Sequence, residues 1–228
     1  MPKNQYKSLK KPSFGPKDIK STDVVIGVDE VGRGAWAGPV VAACVLWKGK
    51  TPIAGILRDS KKMTAKDREK TYEEILHGAH AGKLFCGIGI ISNDIIDSVG
   101  IREANRLAME GALQQIRKDL NNSPNERIFL LIDGRDNYSF DIPNLPAPLY
   151  IVRGDSKIKQ IMAASILAKV TRDRLLIEYE DIFLGYGFSQ HKGYGTELHQ
   201  KALKKLGITE IHRKSYKPIK LATSGKGL

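Results

Sequence analysis

Cysteine is almost absent from this 228-residue sequence: Cys44 and Cys86 are the whole supply, each inside an apolar run. Their spacing is far from that of a cysteine metal site, and the pair reads as core thiols in a reducing cytoplasm in preference to a disulfide. Long apolar runs are missing too. None approaches the roughly 20 residues of a bilayer-spanning helix, and residues 1–22 lack the apolar core of a signal peptide. The expectation is a soluble, cytoplasmic protein. Repeats and low-complexity blocks are also missing. Acid is in deficit, with 25 Asp plus Glu against 37 Lys plus Arg and a net charge of +12. That excess favours a polyanionic partner, because each phosphate neutralised releases counterions.

What is present suits one large domain with appendages. The hydrophobic share of 41% is ample for a core. Residues 1–22 read as a basic flexible tail, 23–184 as the main body and 185–228 as a loop-and-helix extension with a basic end. Apolar, β-branched runs predict strands at Val24–Asp29, Pro39–Trp47, Leu84–Ile91, Ile128–Asp133 and Leu149–Val152. Helical composition marks 64–77, with Thr64 at the N-cap, and an amphipathic stripe runs over 101–120. A long helix is expected over 156–183 and a short one over 196–206, with the last 22 residues irregular. The alternation of strands and helices predicts an α/β fold with a mixed sheet.

The stretch Val24-Val-Ile-Gly-Val-Asp-Glu-Val-Gly-Arg-Gly34 carries the most information. Two adjacent carboxylates, Asp29 and Glu30, end a core strand, and acids are seldom buried unless paired or bound to metal. Asp133 closes another strand, and Asp155 precedes the long helix. Carboxylates from separate segments, gathered at strand ends, suit hard divalent cations that take oxygen ligands. Two such ions about 4 Å apart activate a water and stabilise the leaving oxygen of a phosphodiester. Each acid also has a plainer reading. Asp155 stands where an N-cap is favoured, and Asp133 before a glycine suits a turn. Neighbours in a strand point to opposite faces, so spacing alone does not bring Asp29 and Glu30 together.

The blocks that follow carry a resemblance. Asp29-Glu-Val-Gly-Arg-Gly34 with Ala37-Gly-Pro-Val-Val-Ala-Ala43 resembles the opening of ribonuclease HII, the type 2 ribonuclease H family. The similarity continues through Asp59-Ser-Lys61, Leu131-Ile-Asp-Gly134, Ala163-Ala-Ser-Ile-Leu-Ala-Lys-Val-Thr-Arg-Asp173, His191-Lys-Gly-Tyr-Gly-Thr196 and His212-Arg-Lys-Ser215, in order over roughly residues 24–216. The resemblance implies a ribonuclease H-like mixed sheet flanked by helices with a C-terminal helical extension. It also implies a metal-dependent endonuclease acting on RNA/DNA hybrids and on duplex DNA that contains ribonucleotides. Carried over by position, Asp29, Glu30, Asp133 and Asp155 would be the catalytic carboxylates of a two-ion Mg²⁺ or Mn²⁺ site. Gly32, Arg33 and Gly34 would read the ribose 2′-hydroxyl, and Tyr194 would stack on the neighbouring deoxyribose. The implied cut lies 5′ to a ribonucleotide, leaves a 3′-hydroxyl and a 5′-phosphate, and removes single misincorporated ribonucleotides. Apart from the resemblance, the expected form is a monomer without membrane association, its protein partners unknown.

Departures from the family pattern are confined to Ala35-Trp36 and the basic block Ser156-Lys-Ile-Lys-Gln-Ile-Met162. Ser60 and Lys61 are further phosphate candidates. Lys169, Arg172 and Arg174 form a basic face that either meets the nucleic-acid backbone or is simply solvated. Ala163, Ala164, Ser165 and Ala168 read as packing, and His191 as either a phosphate contact or a loop hydrogen bond. Two other readings compete with this one. Ribonuclease HIII would share the blocks but carries an N-terminal substrate domain, for which the 23 residues before Val24 leave little room. A non-catalytic nucleic-acid binder would share the charge but has no use for four acids beside a polyanion.

Overall fold

The computed structural model describes residues 18–20, 22–48, 53, 57–58, 62–121 and 126–224. Most of the basic stretch 1–22, together with Ser60 and Lys61, lies outside them.

The first two strands, β1 (Val24–Val31) and β2 (Val40–Lys48), pair antiparallel, from Val24 opposite Lys48 to Val31 opposite Val41. Strand β3 (Phe85–Ile91) adds antiparallel to β2. On the other side of β1, β4 (Ile128–Asp133) and then β5 (Pro148–Ile151) run parallel, giving the order β3-β2-β1-β4-β5. The central strands are apolar on both sides because both faces of the sheet are covered. Val24, Ile26 and Val28 of β1 join Ala42 and Cys44 of β2 against Ala104, Ala108 and Ala112 of helix α3 (Ile101–Gln115). On the opposite face Val41, Ala43 and Val45 meet Ala163, Ala164 and Leu167 of helix α5 (Lys159–Ile182) and Ile75 of α1 (Ala65–His80). Burying one such Leu or Ile side chain contributes about 1.5–3 kcal/mol. Cys44 and Cys86 are free thiols.

Helix α5 lies so close to the sheet that a Cβ at Gly27 would fall 2.2 Å from the backbone of Gln160 and Ile161. The first turn of α5 therefore rests on bare β1 backbone, beside the strand end that carries the acids.

Expected and observed elements differ where local cues were short or overridden. Thr64 does cap α1, accepting from the Asp67 amide at 3.1 Å. The expected helix over 156–183 begins only at Lys159. A separate 3₁₀ turn, Gly154–Ser156, precedes it, and Ile158 between them is extended so that its side chain enters the core beside Ile161. Asp155 is thus not the N-cap of α5. The stripe over 101–120 breaks at Ile116 into α3 and α4 (Arg117–Asn121). Helices α2 (Asn93–Val99) and α8 (Lys217–Thr223) were not expected, each being too short to display a period. With α6 (Phe188–His191) and α7 (Glu197–Leu206), α8 encloses a smaller core of Leu176, Phe188, Leu203, Ile211 and Ile219.

Candidate active site at the parted strand ends

The parallel ladder between β1 and β4 stops at the pair Val28–Ile132. Beyond it Asp29, Glu30 and Val31 pair with β2 alone, and a cavity of about 560 Å³ opens between the parted strands. Asp29, Glu30, Val31, Arg68, Asp133, Ser165, Lys169 and Tyr194 line it. Strand register decides the arrangement. Asp29 and Asp133 follow directly on partners Val28 and Ile132, so they stand side by side at the end of the ladder, on the face that α5 covers. Glu30 follows Val28 onto the other face, toward Arg33. Neighbours in β1 do diverge, and both still reach the cavity because it opens at the strand terminus, where β4 no longer separates the two faces.

Burial pushes the Asp29 carboxyl well above the usual carboxylate range, and the Glu30 and Asp133 charges push it further. Ser165 on α5 donates to Asp29 and opposes that rise. The Glu30 amide also donates to Asp29 Oδ1 at 2.8 Å. Burial raises Glu30 too, against the pull of the Arg33 guanidinium, 3.4 Å away. Asp133 Oδ1 accepts from the Gly154 amide at 2.5 Å, which carries the next residue, Asp155, into the same neighbourhood. Asp155 is buried but is not among the residues lining the cavity. Among the described residues no three His, Cys, Asp or Glu side chains converge closely enough to hold an ion as they stand. Asp29, Glu30 and Asp133 are each engaged by a protein donor instead: the Glu30 amide, Arg33 and the Gly154 amide.

The turn after β1 is held from behind by two fully buried arginines. Gly32 has φ +93°, and a Cβ there would meet Arg172 Nε at 2.2 Å. Arg172 donates to the carbonyls of Pro39 at 2.9 Å, Lys192 at 2.8 Å and Ala37 at 3.0 Å, and its guanidinium lies 5.4 Å from the Tyr194 ring. Burial lowers it to about 10. Arg213 donates to the carbonyls of Gly38 and Arg33, both at 3.0 Å. The carbonyls of residues 33 and 37–39 are thereby drawn inward, while Gly32, Arg33 and Gly34 follow the cavity-lining Val31 without being among the lining residues themselves. The carbonyl of Gly193 accepts from the amides of Trp36 and Ala37, which knits this turn to the Tyr194 loop.

Several expectations change. Arg172 contacts neither solvent nor substrate space, because its donors are spent on carbonyls. Arg174 pairs with Glu69 and Glu73; only Lys169 of that basic face lines the cavity, paired with Asp173 at 2.7 Å. Arg33 bridges Glu30 and Asp136. His191 is a buried loop hydrogen bonder, Nε2 lying 2.9 Å from the Tyr186 carbonyl. Ser165 is more than packing, since it holds Asp29. Its signal was available: a hydroxyl among alanines on the helix that covers the acid-bearing strand. Arg68 and His199 had no local cue.

A mixed sheet of this order with acids at parted strand ends defines a nuclease of the ribonuclease H-like class. The chain belongs to the ribonuclease HII family, whose family model matches residues 26–219. It is accordingly a ribonuclease H, an endonuclease. Solved structures share the fold. A ribonuclease HII from Archaeoglobus fulgidus, solved in complex with PCNA, is 24% identical with a TM-score of 0.67, covering 85% of this chain and 95% of that one. The ribonuclease H2 from Pyrococcus horikoshii OT3 is 21% identical with a TM-score of 0.67, covering 89% and 98%. Bst-RNase HIII in complex with Mn²⁺ is 16% identical with a TM-score of 0.68, covering 90% and 70%.

Proposed function

We propose that this ribonuclease H cuts the phosphodiester 5′ to a ribonucleotide in RNA/DNA hybrids and at RNA–DNA junctions, including single ribonucleotides in duplex DNA. The observation that carries the reading is the mutual charge coupling of Asp29, Glu30 and Asp133 around one cavity that also takes in Lys169 and Tyr194. Carboxylates held against burial and against one another are an oxygen-only donor set short of positive charge, which fits hard divalent cations. The Mn²⁺ bound by Bst-RNase HIII lends support to the same choice. Asp29, Glu30, Asp133 and Asp155 would hold two Mg²⁺ or Mn²⁺ ions, which supply an activated water and a stabilised 3′-oxygen.

The remaining work falls to the chain. Ser165 orients Asp29. The Gly32-Arg33-Gly34 turn, its carbonyls held back by Arg172 and Arg213, offers amides to a 2′-hydroxyl, the group that separates RNA from DNA. Tyr194 meets the adjoining sugar, and Lys169 and Arg68 add positive charge at the cavity wall. The products carry a 3′-hydroxyl and a 5′-phosphate, and the setting is cytoplasmic. The test is a DNA duplex containing one ribonucleotide, incubated with Mg²⁺ or with chelator beside a continuous RNA/DNA hybrid. Cleavage 5′ to the ribonucleotide only with the ion is expected; ion-independent cleavage, or none, overturns the reading.

A further inference from the structure

The Tyr194 loop rests on a pair of histidines whose proton positions follow from their partners. His199 and His212 are fully buried. The Thr209 amide donates to His212 Nδ1 at 2.8 Å, with Thr209 Oγ1 also 2.8 Å from that nitrogen. An amide only donates, so His212 Nδ1 is bare and its proton sits on Nε2. That Nε2 lies 3.0 Å from His199 Nε2, and one proton between the two nitrogens comes from His212. His199 then bears its own proton on Nδ1, which donates to the Tyr194 carbonyl at 3.0 Å. A carbonyl only accepts, so both ends of the chain of bonds demand the same two tautomers. His191 stacks on His199 with ring centroids 4.3 Å apart, and its Nδ1 accepts from the Gly193 amide at 3.1 Å.

We infer that His199 and His212 are positioning residues for Tyr194, a tautomer-fixed relay that runs from the Thr209 amide to the Tyr194 carbonyl and sets where the tyrosine ring stands at the cavity. The inference rests on Tyr194 meeting the sugar next to the ribonucleotide. The far end of the relay is anchored in the substrate-facing turn, since His212 bridges to Ala37. The arrangement requires both rings neutral, because a proton added to His199 would set N–H against N–H. Burial supplies that neutrality, holding His199 down to about 3 and His212 to about 4.

The test compares cleavage of a single-ribonucleotide duplex with that of a continuous hybrid in wild type, Tyr194→Ala, His199→Phe, His199→Asn and the double variant His199→Phe with Tyr194→Ala. Misplacing the ring should lower the duplex-to-hybrid ratio about 10-fold in His199→Phe. Asn places an N–H where Nδ1 stood and should recover most of the ratio. The double variant should have the same ratio as Tyr194→Ala alone. An unchanged ratio in His199→Phe, where Tyr194→Ala lowers it, overturns the relay; an unchanged ratio in Tyr194→Ala overturns the tyrosine's role and the relay with it. Should His199→Phe not fold, nitrogen-15 NMR of the wild type at neutral pH decides. It should show His199 protonated on Nδ1 and His212 on Nε2; any other pattern overturns the relay.

Discussion

Asp29 carries its charge at a cost to folding. Its carboxyl is held well above the usual range by burial and by Glu30 and Asp133, so the folded state is favoured when this group is neutral, and that advantage is lost as pH rises through its folded pKa. Asp29→Asn keeps the shape and removes the charge. In chelator it should raise Tm, read by thermal melting, while cleavage falls by about 10²–10³-fold or more. Mg²⁺ at a hundred times its Kd should stabilise the wild type by about 2.7 kcal/mol and leave the variant unmoved. Arg172 is the opposite case. Arg172→Leu strips donors from the carbonyls of Pro39, Ala37 and Lys192, at about 1–3 kcal/mol for each buried group left unsatisfied, and Tm should fall by about 2–4 °C per kcal/mol. Lys at this position restores little, since it lacks the planar fork. The sequence singled out Asp29, Glu30 and Asp133, which the fold brings to one cavity, because carboxylates in apolar runs stand out in one dimension; Asp155, singled out with them, does not line it. The same reading missed Arg172 and Ser165, whose partners lie far off in sequence, at Pro39 133 residues away and at Asp29 on the strand that α5 covers; only folding discloses such distances.

Elements report on packing. Gly27→Ala would drive a Cβ into the first turn of α5 and should cost about 1–3 kcal/mol or more in denaturant melts. Gly34 has open space where its Cβ would be. Gly34→Ala should therefore melt like wild type, and a loss of ribonucleotide cleavage without a loss of stability would locate its role in substrate contact. All five strands were legible to within a few residues: the central ones, buried on both faces, read as plain apolar runs, and the half-buried edge strands β3 and β5 are still mostly apolar. The breaks were not. The gap between the Gly154–Ser156 turn and α5 arises because Ile158 enters the core in extended backbone, a tertiary gain that local propensity does not foretell. Helices α2 and α8 are held by contacts: Asp97 on α2 accepts from the Lys214 and Ser215 amides.

At the scale of the molecule, the net charge of +12 favours a polyanionic substrate. Binding to duplex should weaken with salt at a log–log slope of about −0.9 per phosphate contacted. The neutral histidines shape acid stability. Their pKa values are depressed on folding, so the unfolded chain takes up protons first, and stability is lost as pH falls from about 6.5 toward the folded values. The loss reaches about 1.4 kcal/mol per pH unit for each histidine. Between pH 6.5 and 4.5, His191→Phe should lose stability less steeply than wild type in paired urea melts. Because the Gly193 carbonyl accepts from Trp36 and Ala37 while Arg172 grips Ala37 and Lys192 together, neither loop swings open alone. Under the proposed function, the Gly32–Gly34 turn and Tyr194 would then address the ribose and its neighbour as one fixed unit, so that a strand matching only one of the two features would meet the same rigid surface and gain only half of its contacts.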